Sequence, residues 1–264
     1  MSTTSDTPTS TYGPLDFARD TGVPRETLSR LSTFVNLLIE WNGRLNLVAA
    51  STLPDVWRRH VLDSAQLAPL IPDQARTIID LGSGAGFPGL VLAIMLGAGP
   101  LPPLRGPPPP PAGEGSRGVA HPPPQAGEVA GGAKRRQTEG GLLTVHLIES
   151  TQKKCRFLED VAKATEAPVR VHWARAEDIR GLKADVVTAR AVAPLDRLFG
   201  LAHPFFGPAT IGLFLKGRSL NDELTRASKS WKLDATPIPS RSDPSGSILR
   251  VTGLTPWRKP QRPP

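Results

Sequence analysis

Cysteine is nearly absent from this sequence, which has Cys155 and no other among 264 residues. A single thiol excludes a disulfide framework and a multi-cysteine metal site, so we expect no metal centre and a reducing, cytoplasmic environment. The sequence also lacks any run of about 18 apolar residues, and its N-terminal stretch MSTTSDTPTSTYG is polar. These absences predict no secretory signal and no association with a membrane.

Acidic residues are the scarcer charged class, with 24 Asp and Glu against 32 Lys and Arg, which gives a formal net charge of +8. An excess of positive charge favours a polyanionic partner, with nucleic acid ahead of an acidic membrane surface. Many basic proteins bind nothing anionic, so charge alone leaves that alternative open.

Large apolar residues are almost missing from residues 99–141, where many of the 29 prolines and 25 glycines of the chain are concentrated. Such a segment buries too little apolar surface to offset the entropy of ordering it, so we predict a disordered insertion between a helix and the second strand. A polyproline ligand for a partner is the alternative. We expect activity to survive deletion of 100–140, and we predict further disordered or loose tails at 1–22 and 257–264.

Apolar residues at helical spacing predict helices at 24–42 and 53–71, within an N-terminal helical extension over 23–72. From 73 to 256 the pattern changes to apolar strands alternating with helices, which is typical of an α/β domain with a parallel sheet covered on both faces. The predicted strands are Thr77–Leu81, Thr144–Ile148, Val169–Trp173, Ala184–Thr188 and Thr210–Lys216, followed by a late pair at Leu233–Ile238 and Ser247–Gly253.

A glycine-rich turn follows the first predicted strand, in the stretch RTIIDLGSGAGFPGLVLAIML. Glycines at this point allow a tight reversal and a close approach of the backbone to a ligand. Asp80 stands two residues before Gly82 and would repel a pyrophosphate, whereas it suits the cationic methionine end of S-adenosyl-L-methionine. The turn therefore favours that cofactor over a dinucleotide, and a turn that only packs a helix against a strand is the alternative.

Glu149 ends the second predicted strand, the position where a Rossmann-like site places an acid for the ribose hydroxyls. Once the insertion is set aside, Glu149 follows Gly86 by about 22 residues, close to the roughly 20 expected. A solvated acid at a strand end is the alternative interpretation.

The methyl acceptor is constrained by what the fourth strand lacks. Cytosine C5 methylation needs a cysteine nucleophile there, and amine methylation usually shows an [ND]PP[YF] element, whereas this chain reads TARAVAPLDR. Guanine N7 carries a free lone pair, so it can attack the methyl group in line without a general base or a covalent intermediate. The sequence therefore predicts no catalytic acid–base residue.

Five stretches together resemble the bacterial 16S ribosomal RNA guanine-N7 methyltransferase family, also called the glucose-inhibited division protein B family. They are EWNGRLNLVAA, RRHVLDSAQLAP, IIDLGSGAGFPGLVLAI, LIESTQKKCRFL and VVTARAVAPL. The resemblance implies a class I S-adenosylmethionine-dependent methyltransferase fold. This fold is Rossmann-like, with a mainly parallel seven-stranded sheet and an N-terminal helical extension. It also implies methyl transfer to one guanine of 16S ribosomal RNA in the small ribosomal subunit.

The resemblance and the residues together assign the following cofactor contacts: Asp80, Gly82, Gly84, Phe87, Glu149, Ala176, Glu177 and Arg190. The expected contacts to RNA are Arg59, His60, Arg190, Lys216 and Arg218. Asp63 is one helical turn from Arg59 and His60, so a structural pair with either of them is an open alternative. We expect a monomer. The competing functions are a class I methyltransferase for another substrate and a non-catalytic ribosomal RNA assembly factor.

Overall fold

The computed structural model of the protein describes residues 12–97 and 142–257. The predicted insertion at 99–141 lies outside the described residues, as do residues 1–11 and 258–264 of the predicted tails. Trp257, the first residue of the predicted C-terminal tail, is described and donates from its backbone N–H to the Ser230 carbonyl at 2.9 Å.

A seven-stranded sheet forms the centre of the molecule, in the order β3-β2-β1-β4-β5-β7-β6. The first five strands are parallel, while β7 runs antiparallel to both β5 and β6. The strands are β1 (Thr77–Leu81), β2 (Thr144–Glu149), β3 (Val169–Trp173), β4 (Val186–Arg190), β5 (Ile211–Lys216), β6 (Trp231–Pro239) and β7 (Ser247–Pro256). The expected class I methyltransferase architecture, with its mainly parallel seven-stranded sheet, is confirmed.

Helices cover both faces of the sheet, because the apolar residues of the central strands point alternately to the two sides. The first core, which includes Phe34 and Phe157, lies between the sheet and the helices that precede it or follow β1 and β2. The second core lies on the opposite face, under the helices that follow β4 and β5. The helices are α1 (Pro14–Thr21), α2 (Arg25–Leu45), α3 (Asp63–Ala65), α4 (Gly89–Gly97), α5 (Gln152–Thr165), α6 (Leu195–Ala202) and α7 (Leu220–Ala227).

The topology places the ends of β1 and β4 side by side, since Leu81 pairs with Ala189 in parallel register. From this point the order of the sheet continues to β2 and β3 on one side and to β5 on the other. The carboxyl ends of strands at such a switch point form the crevice in which open α/β sheets bind ligands.

The prediction of a disordered tail over 1–22 is wrong for the described part of that range. Pro14–Thr21 is helical, and Phe17 is fully buried with its ring centroid 5.5 Å from that of Trp57. Burying a phenylalanine contributes about 1.5–3 kcal/mol, enough to dock so short a helix. The polar composition of the first residues concealed this anchor.

The helix predicted at 53–71 forms only in part: residues 56–65 are continuously helical, and 3₁₀ turns lie before and after them. A 3₁₀ turn at Ala50–Asp55 leads into a π-helical turn at Trp57–Leu62, then α3 and a second 3₁₀ turn at Ala68–Leu70. The Ser64 hydroxyl donates to the His60 carbonyl at 2.7 Å, and such side-chain bonds to the backbone compete with regular helical pairing.

Candidate active site

The glycine turn leaves β1 with its backbone open to a ligand. Gly82 is exposed and Gly84 is half-buried. Both have left-handed backbones, with φ of 61° and 54°. A Cβ at Gly82 would lie 2.9 Å from Val192 Cγ2, in the loop that follows β4. Glycine is therefore required at this position by the backbone conformation and by the packing of the two strand ends.

Asp80 lies beneath this turn and is fully buried. Its Oδ1 accepts a hydrogen bond from the Thr188 hydroxyl at 2.8 Å, and its Oδ2 accepts one from the Gly89 N–H at 3.3 Å. Burial raises the pKa of Asp80 to about 6, although these hydrogen bonds oppose the increase. The expected direct contact with a ligand ammonium is thus corrected: the carboxylate joins β1 to β4 and to the first turn of α4.

Glu149 lies at the carboxyl end of β2, next to the turn. Its Oε2 accepts from the Gly84 N–H at 3.0 Å and its Oε1 accepts from the Thr151 N–H at 2.7 Å. The carboxylate therefore fixes the conformation of the glycine turn, a function that the strand-end position alone did not predict.

Phe87 and Arg190 meet at the other side of the turn. The Arg190 guanidinium carbon lies 5.0 Å from the centroid of the Phe87 ring, which is within the range of a cation–π contact. Arg190 Nη1 donates to the Arg59 carbonyl at 3.2 Å and forms an ion pair with Asp63 Oδ2 at 3.4 Å. Burial lowers the pKa of Arg190, and Asp63 opposes that effect. Phe87 itself is buried, so it supports this cation from within the core.

His60 is buried, so its predicted role as a direct contact to RNA is corrected. Its ring stacks on Phe87 at a centroid distance of 5.1 Å, and its Nε2 lies 2.8 Å from the Thr52 hydroxyl. Burial first, and then Arg190 and Arg59, lower the pKa of His60 to about 3. The imidazole is therefore neutral at neutral pH and packs the π-helical turn against the glycine turn.

Lys216 is likewise not available to an RNA phosphate, because it is committed to an internal ion pair. Its Nζ lies 2.6 Å from Glu223 Oε2 and donates to the Ala193 carbonyl at 3.1 Å. Glu223 also accepts from the Leu195 N–H at 3.0 Å. This pair fastens the loop after β4 to the start of α7.

The remaining predicted basic contacts, Arg59 and Arg218, are exposed. Both lower the pKa of Asp243, although its bonds from Ser245 have the larger effect, so the two cations lie near this carboxylate. Asp243 also borders two adjoining cavities of about 260 and 320 Å³. Arg59 lines the second of these cavities, and Arg218 lies near Asp243 without lining either one.

Ala176 and Glu177 lie in a 3₁₀ turn after β3, at the same edge of the sheet as the glycine turn. Ala176 is half-buried against the second core, and Glu177 is exposed. This arrangement supplies an apolar surface beside a polar group, which is what the resemblance implies for holding an adenine.

The sequence did not identify Asp63 as a partner of Arg190, and the alternative pairing with Arg59 or His60 is not observed among the ion pairs of the described residues. Asp63 Oδ1 accepts from the Ser242 hydroxyl at 2.6 Å, and it lines both cavities together with Asp243. The only sequence signal for Asp63 was its place in RRHVLDSAQLAP, because Arg190 and Ser242 lie 127 and 179 residues away from it in the chain.

Comparison with known proteins identifies the family of this chain. Residues 27–98 and 140–242 match the family model GidB, rRNA small subunit methyltransferase G. A relative from Parvibaculum lavamentivorans, named ribosomal RNA small subunit methyltransferase G, is 48% identical over 90% of this chain and 88% of its own length. A relative of the same name from Paramagnetospirillum magneticum is 44% identical over 90% and 95%. A third, from Rhodospirillum centenum, is 43% identical over 94% of both chains. The chain therefore belongs to the GidB family of rRNA small subunit methyltransferase G proteins.

Proposed function

We propose that this protein transfers a methyl group from S-adenosyl-L-methionine to N7 of one guanine in the 16S ribosomal RNA of the small ribosomal subunit. The proposal depends above all on one observation: the open backbone of Gly82 and Gly84 lies beside Arg190, at the adjoining carboxyl ends of β1 and β4. Family membership supplies the reaction, and this crevice supplies the place for it.

The glycine turn and Glu149 fit the cofactor for a steric reason. No side chain projects from Gly82 or Gly84, and a Cβ at Gly82 would have to displace Val192. The proposed contacts are the exposed backbone of the turn, the Glu149 carboxylate for the ribose, and Ala176 with Glu177 for the adenine. Asp80 and Phe87 support these contacts from the buried side.

The chemistry needs placement and a suitable field rather than a proton carrier. S-adenosyl-L-methionine supplies an electrophilic methyl carbon. The N7 lone pair forms the new N–C bond as the S–C bond breaks. The electron pair of the broken S–C bond stays on sulfur, so the positive charge passes from sulfur to the guanine. Arg190 and Asp63 form an ion pair at the end of β4, and the reaction requires no proton exchange with either of them.

Recognition of the RNA is proposed for the exposed arginines near Asp243, Arg59 and Arg218, together with the overall charge of +8. The proposed working form is a cytoplasmic monomer without a metal. Among residues 12–97 and 142–257, no helix is long and apolar enough to cross a membrane.

The decisive assay uses small ribosomal subunits from cells that lack this protein. They are incubated with the purified chain and with cofactor labelled on its methyl group, and the RNA is mapped for N7-methylguanine. We expect label at one guanine of 16S RNA. Binding of the cofactor without any label in RNA would overturn the proposal and favour a different substrate or an assembly role.

A pair of glycine variants tests the site within the same assay. Gly82→Ala places a Cβ against Val192 on a left-handed backbone, so we expect loss of cofactor binding and of methyl transfer. Gly43→Ala is the matched control, because no atom lies within 4 Å of the added Cβ. Equal activity of both variants would contradict the assignment of the turn.

A further inference from the structure

Asp63 lies where three segments meet, namely the π-helical turn, the end of β4 and the loop between β6 and β7. Its Oδ1 accepts from the Ser242 hydroxyl at 2.6 Å and from Gln66 Nε2 at 3.0 Å, and its Oδ2 lies 3.4 Å from Arg190 Nη1. The side chains of Asp63 and Arg190 are 17% and 19% exposed, so water screens their charges only partly.

Arg190 connects this carboxylate to the crevice. It lies over Phe87 of the glycine turn, and it ends the strand whose following loop packs against Gly82. Asp80, beneath the same turn, also interacts electrostatically with Arg190. Two carboxylates therefore oppose one guanidinium at the point where β1 and β4 end, while the neighbouring His60 is kept neutral.

We propose that Asp63 is a charge-balancing and positioning residue. It offsets the charge of Arg190, so that the crevice favours the cationic methyl donor over the neutral product of the same transfer. The inference rests on the proposed function, because it concerns the cofactor assigned there.

The physical reason is that the cofactor changes charge during the reaction. S-adenosyl-L-methionine carries a sulfonium, whereas the sulfur of S-adenosylhomocysteine is neutral, and the two molecules otherwise share the same groups. Loss of one of the two carboxylates makes the charge around Arg190 more positive, which weakens binding of the sulfonium donor and leaves the neutral sulfur of the product unaffected. A unit charge at about 10 Å, with an effective dielectric constant of about 20, changes the ratio of the two affinities roughly tenfold.

Asp63 also has a plain mechanical role, since it holds the β6–β7 loop through Ser242. Loss of that role would disturb the crevice for both molecules alike, so the ratio of the two dissociation constants separates charge from support. Ser242→Ala removes the loop contact and leaves both charges in place, which makes it a matched control.

The test measures the dissociation constants of S-adenosyl-L-methionine and S-adenosylhomocysteine by calorimetry on the full-length chain without RNA. Asp63→Asn is expected to shift their ratio about tenfold against the donor. Arg190→Gln should shift it in the opposite direction, and the double variant should return it towards the wild-type value. Ser242→Ala should leave the ratio unchanged. Glu40→Gln carries the same charge change at an exposed site on α2 and should also leave it unchanged.

Equal weakening of both molecules by Asp63→Asn would overturn the inference and leave the proposed methyl transfer standing. A shift of the same sign in Arg190→Gln would also overturn it. If the wild-type chain bound neither molecule, the proposed function would fail and this inference with it. Where Asp63→Asn folds poorly, the shift in Arg190→Gln still decides the sign of the effect.

Discussion

Asp80→Asn removes a carboxylate that is fully buried beneath the glycine turn, and its effect on stability should depend on pH in a specific way. Burial raises the pKa of Asp80 to about 6 in the folded protein, against an ordinary value of 3.8. The folded state therefore binds the proton more tightly than the unfolded state does. This carboxylate destabilises the fold above pH 6, and the penalty disappears as the pH falls towards 3.8.

The difference of about two pKa units corresponds to about 3 kcal/mol at pH 7.5, taking 1.36 kcal/mol per unit. When the pH is raised from 4 to 7.5, the free energy of unfolding of Asp80→Asn should increase by about 2–3 kcal/mol relative to that of the wild type. The amide retains the side-chain shape, and the Thr188 hydroxyl can rotate to accept from it.

Urea unfolding at a series of pH values measures this difference directly. Asp178→Asn is the control because it removes an exposed carboxylate, where a change within about 0.5 kcal/mol is expected. Parallel pH profiles for the wild type and Asp80→Asn would refute the reasoning, since they would mean that the buried carboxylate binds protons equally in both states.

Four further predictions concern groups whose surroundings are known only from the structure. Phe17→Ala should lower the free energy of unfolding by about 3–5 kcal/mol in urea titrations, whereas exposed Leu15→Ala should have little effect; a small loss for Phe17→Ala would contradict the docking of α1. Lys216→Ala should lower the free energy of unfolding by about 3–5 kcal/mol, because it leaves the Glu223 carboxylate buried and without its ion-pair partner. Arg218→Ala should keep the stability but reduce the salt dependence of RNA binding by about one phosphate contact, and an unchanged salt dependence would contradict Arg218 as a contact to RNA. Acidification from pH 7 to 4.5 should destabilise the wild type by about 2 kcal/mol more than His60→Gln. The reason is that the histidine binds a proton in the unfolded state, whereas in the folded state, with a pKa of about 3, it does not. Equal losses of stability in the two proteins would contradict the burial of His60.

The elements that the sequence predicted well are those set by local pattern. All seven strands lie within a few residues of their predicted bounds. Continuous apolar runs between turn residues marked the buried central strands, and the late apolar pair marked β6 and β7. The glycine turn was also located from local sequence, since its left-handed backbone is one that glycine adopts most readily. The helix at Pro14–Thr21 was missed because one buried phenylalanine in a polar stretch gives no periodic signal.

For the site residues, the sequence predicted positions better than roles. Family resemblance and strand ends predicted Gly82, Glu149 and Arg190 as site residues, and the structure has all three at the carboxyl ends of β1, β2 and β4. Lys216 and His60 were also placed at the correct edge of the sheet, yet both are turned inward by partners that the sequence does not reveal.

The sequence by itself determined the α/β class, the order of the strands along the chain, the position of the glycine turn and the family. The tertiary structure decided which charges remain free. Asp63 meets Arg190 and Ser242 across 127 and 179 residues, and Lys216 meets Glu223 across the start of a helix. A charge is free or committed according to the groups within a few ångströms of it, and those groups come together only when the sheet is assembled.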